Sequence, residues 1–189
     1  VVALALGPCA GLGAGRVAAS HYSVMVQGLS QVFVAGPPVA KAIGEDVDKE
    51  GLGGADINGK NGVVDDIVAN EAEAFAAARK FLSYLPASIH EKAPRLQNGD
   101  PIDRRDPTLI NVVPRDRRVP YKMRRIVDAC VDAGSFFETG RQWGRGLITG
   151  FARVFRYKQS WQNISAMFLG GSWTADVCRK LIKHVDLAQ

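Results

Sequence analysis

Cysteine is scarce and scattered in this sequence. Cys9, Cys130 and Cys178 stand far apart, with no Cys-x-x-Cys pair and no metal-ligand spacing. That argues against a disulfide framework or a zinc module. Isolated thiols suit a reducing compartment, where they serve as small core residues. Long apolar runs are also missing. The opening run, Val1 to Leu6, is too short for a membrane span or a signal-peptide core, and no basic stretch precedes it. No Gly-Lys-Ser/Thr phosphate loop occurs, and Arg16 stands where a dinucleotide fingerprint needs its third glycine. Neither Ser23 nor Ser30 sits in a nucleophile elbow. Histidine is limited to His21, His90 and His184, too dispersed to assign a catalytic base. No internal repeat is visible. There is no initiator Met, the first residues read as the middle of a strand, and Gln189 falls within an uncapped helical pattern. Both ends are therefore expected to be cut from a longer polypeptide.

What is present is an ordinary globular mixture. Of 189 residues, 47% are hydrophobic and 23% charged, so disorder over most of the length is not expected. The length suits one domain or two incomplete ones. The net charge of +5 favours anionic partners without choosing among them. Arg115, Arg117, Arg118, Arg124 and Arg125 form a basic cluster, read as a solvated or ion-paired face in preference to a phosphate contact. No nucleic-acid-binding motif accompanies it.

Along the chain, Val1 to Leu6 read as a buried strand closed by Gly7-Pro8. Gly11-Leu12-Gly13-Ala14-Gly15 reads as a glycine-rich turn, followed by the small, helix-compatible residues Arg16 to Ser20. His21 to Gln27 predict a strand with Tyr22, Val24 and Val26 on one face. Gln31 to Val34 predict another, and Val39 to Ile43 a turn or two of helix. Residues 44–66, rich in Gly, Asp, Glu and Asn, read as loop. Asn70 and Glu73 have capping-box spacing before a helix through Phe75, Ala78, Leu82 and Leu85 that stops at Pro86. Residues 87–120, punctuated by Pro94, Pro101, Pro107, Pro114 and Pro120, read as a surface linker. A second helix is expected from Tyr121 to Ala133, with Met123, Ile126, Val127, Cys130 and Val131 inward and Gly134 as its C-cap. Phe136 to Glu138 and Leu147 to Ala152 predict strands of a new sheet. A last helix starts at Ser172 or Thr174, with Val177, Cys178, Leu181 and Val185 inward.

The glycine-rich turn carries the most chemistry. Glycines let a backbone approach a ligand closely, and N–H groups at a helix start can stabilise an oxyanion. Tight helix–strand packing is the more common use of such a turn. Two sets of residues add to it. Gly7-Pro8-Cys9-Ala10-Gly11 with Ser23-Val24-Met25-Val26 resembles an active-site segment of biotin-dependent carboxyltransferases, the subunits of acyl-CoA carboxylases such as propionyl-CoA carboxylase. Phe33, Ala35-Gly36-Pro37, Gly44-Glu45-Asp46-Val47, Leu52-Gly53-Gly54-Ala55, Asn61-Gly62-Val63 and Leu82-Ser83-Tyr84-Leu85-Pro86 continue that pattern in order. Pro120-Tyr121, Met123-Arg124, Gly134-Ser135-Phe136-Phe137-Glu138, Thr149-Gly150-Phe151-Ala152-Arg153 and Trp173-Thr174-Ala175-Asp176 extend it over nearly the whole chain. Each block is weak alone; the ordered set is specific.

The resemblance implies a crotonase-like α/β spiral fold, with parts of two related halves. Residues 1–86 would close the N-terminal half, 87–117 would link, and 118–189 would open the C-terminal half. It implies transfer of a carboxyl group from carboxybiotin to the α carbon of a short acyl-CoA. The biotin would ride on a biotin carboxylase or biotin carboxyl carrier partner. A hexameric homo-oligomer and a cytoplasmic or mitochondrial-matrix location are implied, with no nucleic-acid or membrane partner and no metal. Gly11 and Leu12 take the positions of a backbone oxyanion hole, and Ala10 to Gly13 those of the substrate-binding turn. The family usually has glycine where Leu12 stands. The remaining glycine-rich site segments of the family have no counterpart in residues 1–189. Phe155 to Leu169 departs from the family pattern at unchanged length until Gly170-Gly171 restores it, as a compensated reading-frame disturbance would produce. These departures keep open a second possibility, a catalytically incomplete fragment or paralogue that binds and assembles carboxylase subunits.

Overall fold

A computed structural model of the chain describes residues 1–88, 90–91, 100–101, 104–116, 118–154, 162–167 and 173–188, the segment 162–167 by its backbone. The described residues fall into two units. One comprises Val1–Lys80 with Gly140–Gly144, the other Phe81–Thr139 with Arg145–Gln189.

The first unit is built on parallel strands. The strand β1 (Val2–Ala5) pairs with β3 (Tyr22–Val26), and β5 (Asp66–Val68) lies along the other side of β3. All five β3 residues are buried, so the expected single inward face of Tyr22, Val24 and Val26 is corrected to burial on both faces. Parallel strands covered on both sides demand this. Ser23 tolerates burial because its N–H and hydroxyl donate to Asp65 Oδ2 at 2.8 and 3.1 Å. A second parallel pair joins β2 (Pro8–Ala10) to β4 (Gln31–Phe33). β2 was not foreseen: its three residues give no periodicity. The helix α1 (Leu12–Ala18) follows β2, so much of the predicted glycine-rich turn is already helical. Ala14 and Val17 of α1 pack in a core with Ala5, Met25, Val32, Ala55 and Val64.

The predicted loop over residues 44–66 is overturned. After α2 (Pro37–Ala42), whose prolines occupy the first turn where an N–H is dispensable, come α3 (Lys49–Gly53) and α4 (Ala55–Asn61). Asp48 caps α3 by accepting from Gly51 N–H at 2.6 Å. Gly62 ends α4 at φ +81, and a Cβ there would collide with the Trp143 indole. These helices are weak by intrinsic propensity, and their packing overrides it.

The helix α5 (Glu71–Leu82) begins as expected. Asn70 Oδ1 accepts from Glu73 N–H at 2.9 Å, while Glu73 accepts from Ala69 N–H at 3.0 Å. Its buried face is different: Ala74, Ala78 and Phe81 are inward, and Phe75 and Leu82 are exposed.

In the second unit, β6 (Phe137–Thr139), β7 (Leu147–Ala152) and β8 (Gln162–Met167) form an antiparallel sheet in that order. The expected disturbance at 155–169 otherwise lies outside the described residues, as do Pro94, Arg117 and Ser172. Within the predicted linker, Pro107–Asn111 form a 3₁₀ turn. Arg104 pairs with Asp100 at 2.7 Å and donates to the carbonyls of Asp128 and Ala129, each at 3.2 Å, and to that of Val131. These carbonyls close α6 (Met123–Cys130), where a cation meets the negative helix end. α6 is shorter than predicted. Val127 is its one buried residue, Cys130 is exposed, and Gly134, at φ +67, turns the chain beyond the helix without capping it. Finally, α7 (Ala175–Ala188) is capped by Thr174, whose hydroxyl accepts from Val177 N–H at 3.2 Å. Val177, Lys180 and His184 face inward, whereas Val185 is exposed.

Candidate functional site

The four residues singled out at the turn lie together where β2 passes into α1. Ala10 ends β2, Leu12 begins α1, and Gly11 joins them at φ +58 and ψ −124. An L side chain rarely adopts that backbone, so the junction requires glycine on conformational grounds alone. Space is not the constraint: an added Cβ would meet only Val34 O, at 3.9 Å.

Gly11 N–H donates to Val34 O at 2.9 Å and to Phe33 O at 3.2 Å, while Gly11 O accepts from Gly15 N–H at 3.1 Å. The Gly11 peptide is therefore held by β4 on one side and by the first turn of α1 on the other. The amides of Leu12, Gly13 and Ala14 belong to that first turn, where no intrahelical acceptor exists. Leu12 and Gly13 are exposed and Ala14 is buried. Of the expected oxyanion pair, Gly11 and Leu12, the Gly11 N–H is therefore corrected to a structural donor, spent on the Phe33 and Val34 carbonyls. The first-turn amides of Leu12 and Gly13, both on exposed residues, are the adjacent neutral donors that can stabilise an oxygen as it gains negative charge. The first turn of α1 carries no carboxylate to oppose this. The Leu12 side chain, 75% exposed, stands at the mouth of the turn and leaves its own N–H in place.

Titratable groups lie elsewhere. His21 shares a 2.9 Å hydrogen bond with the Val1 amino group at the surface. Tyr22 donates to Asp66 Oδ2 at 2.8 Å; burial above all, then the Asp66 charge, pushes its phenol far above the ordinary range and keeps it a neutral donor. His184 is buried in the second unit. The arginine cluster disperses as the ion-paired reading expects: Arg118 meets Asp116 at 3.2 Å, Arg124 meets Glu138 at 2.8 Å, and Arg125 donates to Thr108 at 3.2 Å. Among the described residues no cluster of His, Cys, Asp or Glu could hold a metal ion, and no helix is long and apolar enough to cross a membrane.

The contributors behind the turn leave no mark in the residue pattern. They are the Phe33 and Val34 carbonyls, which no side-chain pattern announces, and Asn58, hidden in a stretch whose composition reads as loop.

Comparison with known proteins bears on the family and the fold. The family described as the carboxyl transferase domain matches residues 1–185. The propionyl-CoA carboxylase beta chain of Roseobacter denitrificans is 32% identical over 186 residues, covering 97% of this chain and 36% of that protein. The methylmalonyl-CoA decarboxylase subunit alpha of Veillonella parvula is 36% identical over 154 residues, covering 80% of this chain and 30% of that protein. Among solved structures, transcarboxylase 12S, described as a hexamer and solved with hydrolysed methylmalonyl-coenzyme A bound, superposes with a TM-score of 0.89 at 26% identity. That superposition covers 99% of this chain and 37% of the other. The chain thus spans about a third of the length of the relatives it matches. The solved neighbours have the crotonase-like fold, which bears out the fold expected from the resemblance.

Proposed function

The chain belongs to the carboxyl transferase domain family, and from that premise we propose that it serves carboxyl transfer from carboxybiotin to the α carbon of a short acyl-CoA, within an acyl-CoA carboxylase complex. The observation that supports this most directly is the Gly11 junction. With the Gly11 amide tied to β4 and the outward amides of Leu12 and Gly13 left without intrahelical partners, the turn suits a thioester oxygen. Removing the α proton of an acyl-CoA puts negative charge on that oxygen. Donors fixed beforehand stabilise the enolate more than the ground-state thioester, and only that difference accelerates the reaction. Ala10 and Gly13 border the acyl group, and Leu12 adds an apolar side chain beside it.

Biotin, when bound, supplies the carboxyl group and a nitrogen base, so a histidine is not required of this chain. The backbone turn fits the acyl-CoA side of the reaction, and we assign no residue of this chain to hold biotin. We assign residues 1–86 to the N-terminal half of the carboxyltransferase, 87–117 to a linker and 118–189 to the start of the C-terminal half. The partners in this reading are a biotin carboxylase or biotin carboxyl carrier subunit and further copies in a hexamer, in the cytoplasm or the mitochondrial matrix. Both a carboxylase and a decarboxylase are among the relatives, so family membership bears on the group moved and not on the direction or the acyl chain.

The test is carboxylation of propionyl-CoA and longer acyl-CoAs by the full-length protein with its biotin-carrying partner. Gly11→Val should abolish turnover, because the branched residue cannot hold φ +58 without displacing the donors. Unchanged activity would sink the assignment. A second reading, a non-catalytic assembly paralogue, draws on the divergence of Phe155 to Leu169 from the family pattern. It expects partner binding with no acyl-CoA carboxylation by the wild-type protein.

A further inference from the structure

Behind the candidate site lies a side chain that the family reading does not use. Asn58 of α4 is 4% exposed. Its side-chain amide donates to Val32 O at 2.8 Å and to Gly53 O at 2.7 Å, and its Oδ1 accepts from Asn61 Nδ2 at 3.4 Å. The orientation of the amide is forced, since two backbone carbonyls can only accept and must face the NH₂ end. Val32 is the middle residue of β4 and pairs with Cys9 of β2. The next two carbonyls along the chain, Phe33 O at the end of β4 and Val34 O just beyond it, are the ones that hold Gly11 N–H. Gly53 presses on the same strand: a Cβ there would collide with Val32 O.

We propose that Asn58 is a positioning residue for carboxyl transfer, fixing β4 through Val32 O so that Phe33 and Val34 orient the Gly11 peptide and with it the Leu12 and Gly13 donors. This rests on the functional reading above for its consequence in catalysis, and on the hydrogen bonds alone for its consequence in structure. One amide clamps α3, α4 and β4 at a single point, because Gly53 ends α3 and Asn58 lies in α4. Donors must sit within a few tenths of an ångström of the developing charge, so a small slide of β4 costs rate without removing any group that touches substrate.

The test is Asn58→Asp in the full-length protein, with Asn58→Ser as a milder companion that keeps one donor. The carboxylate would face two carbonyls at the distances the amide now bridges, and β4 would be pushed off. Two measurements are made on folded protein. The first is amide hydrogen exchange over residues 8–12 and, as reference, over β3. Exchange at Gly11 should quicken roughly tenfold in Asn58→Asp while β3 stays protected. The second is steady-state carboxylation, where kcat should fall on the order of tenfold or more with KM for acyl-CoA within about twofold. Asn58→Ser should fall between wild type and Asn58→Asp in both. Exchange that rises equally in β3 and at Gly11 would make Asn58 a general structural residue and overturn the proposal. So would unchanged protection at Gly11 in either folded variant. If the wild-type protein carboxylates nothing, the functional reading fails separately, and the exchange comparison still decides whether Asn58 orients the Gly11 peptide.

Discussion

Two local environments, one exposed and one buried, set what single residues can do in this chain. At Gly11 the backbone conformation disfavours any side chain, and in the proposed function the chemistry falls to neighbouring amides. At His184 a side chain is present where its charge is unwelcome. The imidazole is 5% exposed, lies 5.7 Å from the Phe151 ring, and among the described residues has no hydrogen-bond partner for either ring nitrogen. Lys180, one turn earlier on α7, is also buried and donates to Leu147 O at 2.7 Å. The facing strand β7 carries no titratable residue that could offset these charges. Burial first, and the Lys180 charge second, hold the His184 pKa below its ordinary value of 6.5. The sign follows from linkage. The unfolded chain takes up a proton below about pH 6.5 and the folded one does not, so stability is complete above that pH and is lost as pH falls toward the folded pKa. In His184→Phe of the full-length protein, thermal stability should lose the part of its decline below about pH 6.5 that His184 causes, with little change near pH 7.5. Equal declines in wild type and variant, followed by melting temperature against pH, would show that His184 does not titrate in this way.

At the scale of elements, the helix start at Asn70 makes a local rule testable. Asn70→Ala removes the acceptor for Glu73 N–H and should cost about 1 kcal/mol in chemical denaturation. A change below a few tenths of a kcal/mol would mean that the Glu73 bond to Ala69 N–H suffices. This cap was legible because it depends on two side chains at fixed spacing. The strands β1, β3, β4 and β7 were legible for a similar reason, being short apolar runs set off by glycine or polar residues. What escaped depends on long-range packing. Residues 49–61 resemble loop by composition, yet Asn58 and Gly53 hold them as helices against β4. The inward faces of α5 and α7 are legible in part: Ala78 and Val177 are buried as their spacing predicts, but Phe75, Leu82 and Val185 are exposed, because apolar size does not decide which side packs. Alanines at 74 and 78 are buried where α5 packs closely, and Lys180 and His184 take positions that periodicity would give to Leu181 and Val185. The site divides in the same way. The Gly11 turn shows in the sequence as a run of glycines. The carbonyls of β4 that aim it do not, because every residue carries the same backbone acceptor.

For the whole molecule, the arrangement of strands has a direct consequence. The first unit's main sheet has the order β1-β3-β5, so within that sheet, among the described residues, only β3 is paired on both sides. Parallel sheets are stable when covered on both faces and extended beyond a few strands, and open edges invite pairing with other chains. Apolar side chains add to this exposure: Leu12, Val34, Ile43 and Ile110 all stand largely in solvent. A net charge of +5 opposes association only weakly over such patches at physiological ionic strength. The relatives, about three times longer, have further chain with which to cover these surfaces. Residues 1–189 expressed alone should therefore aggregate and show no acyl-CoA carboxylation. Light scattering and a carboxylation assay on the same preparation check both halves of this. A monodisperse, active preparation would show that the two units bury their own edges and that the turn at Gly11 needs nothing from outside the chain.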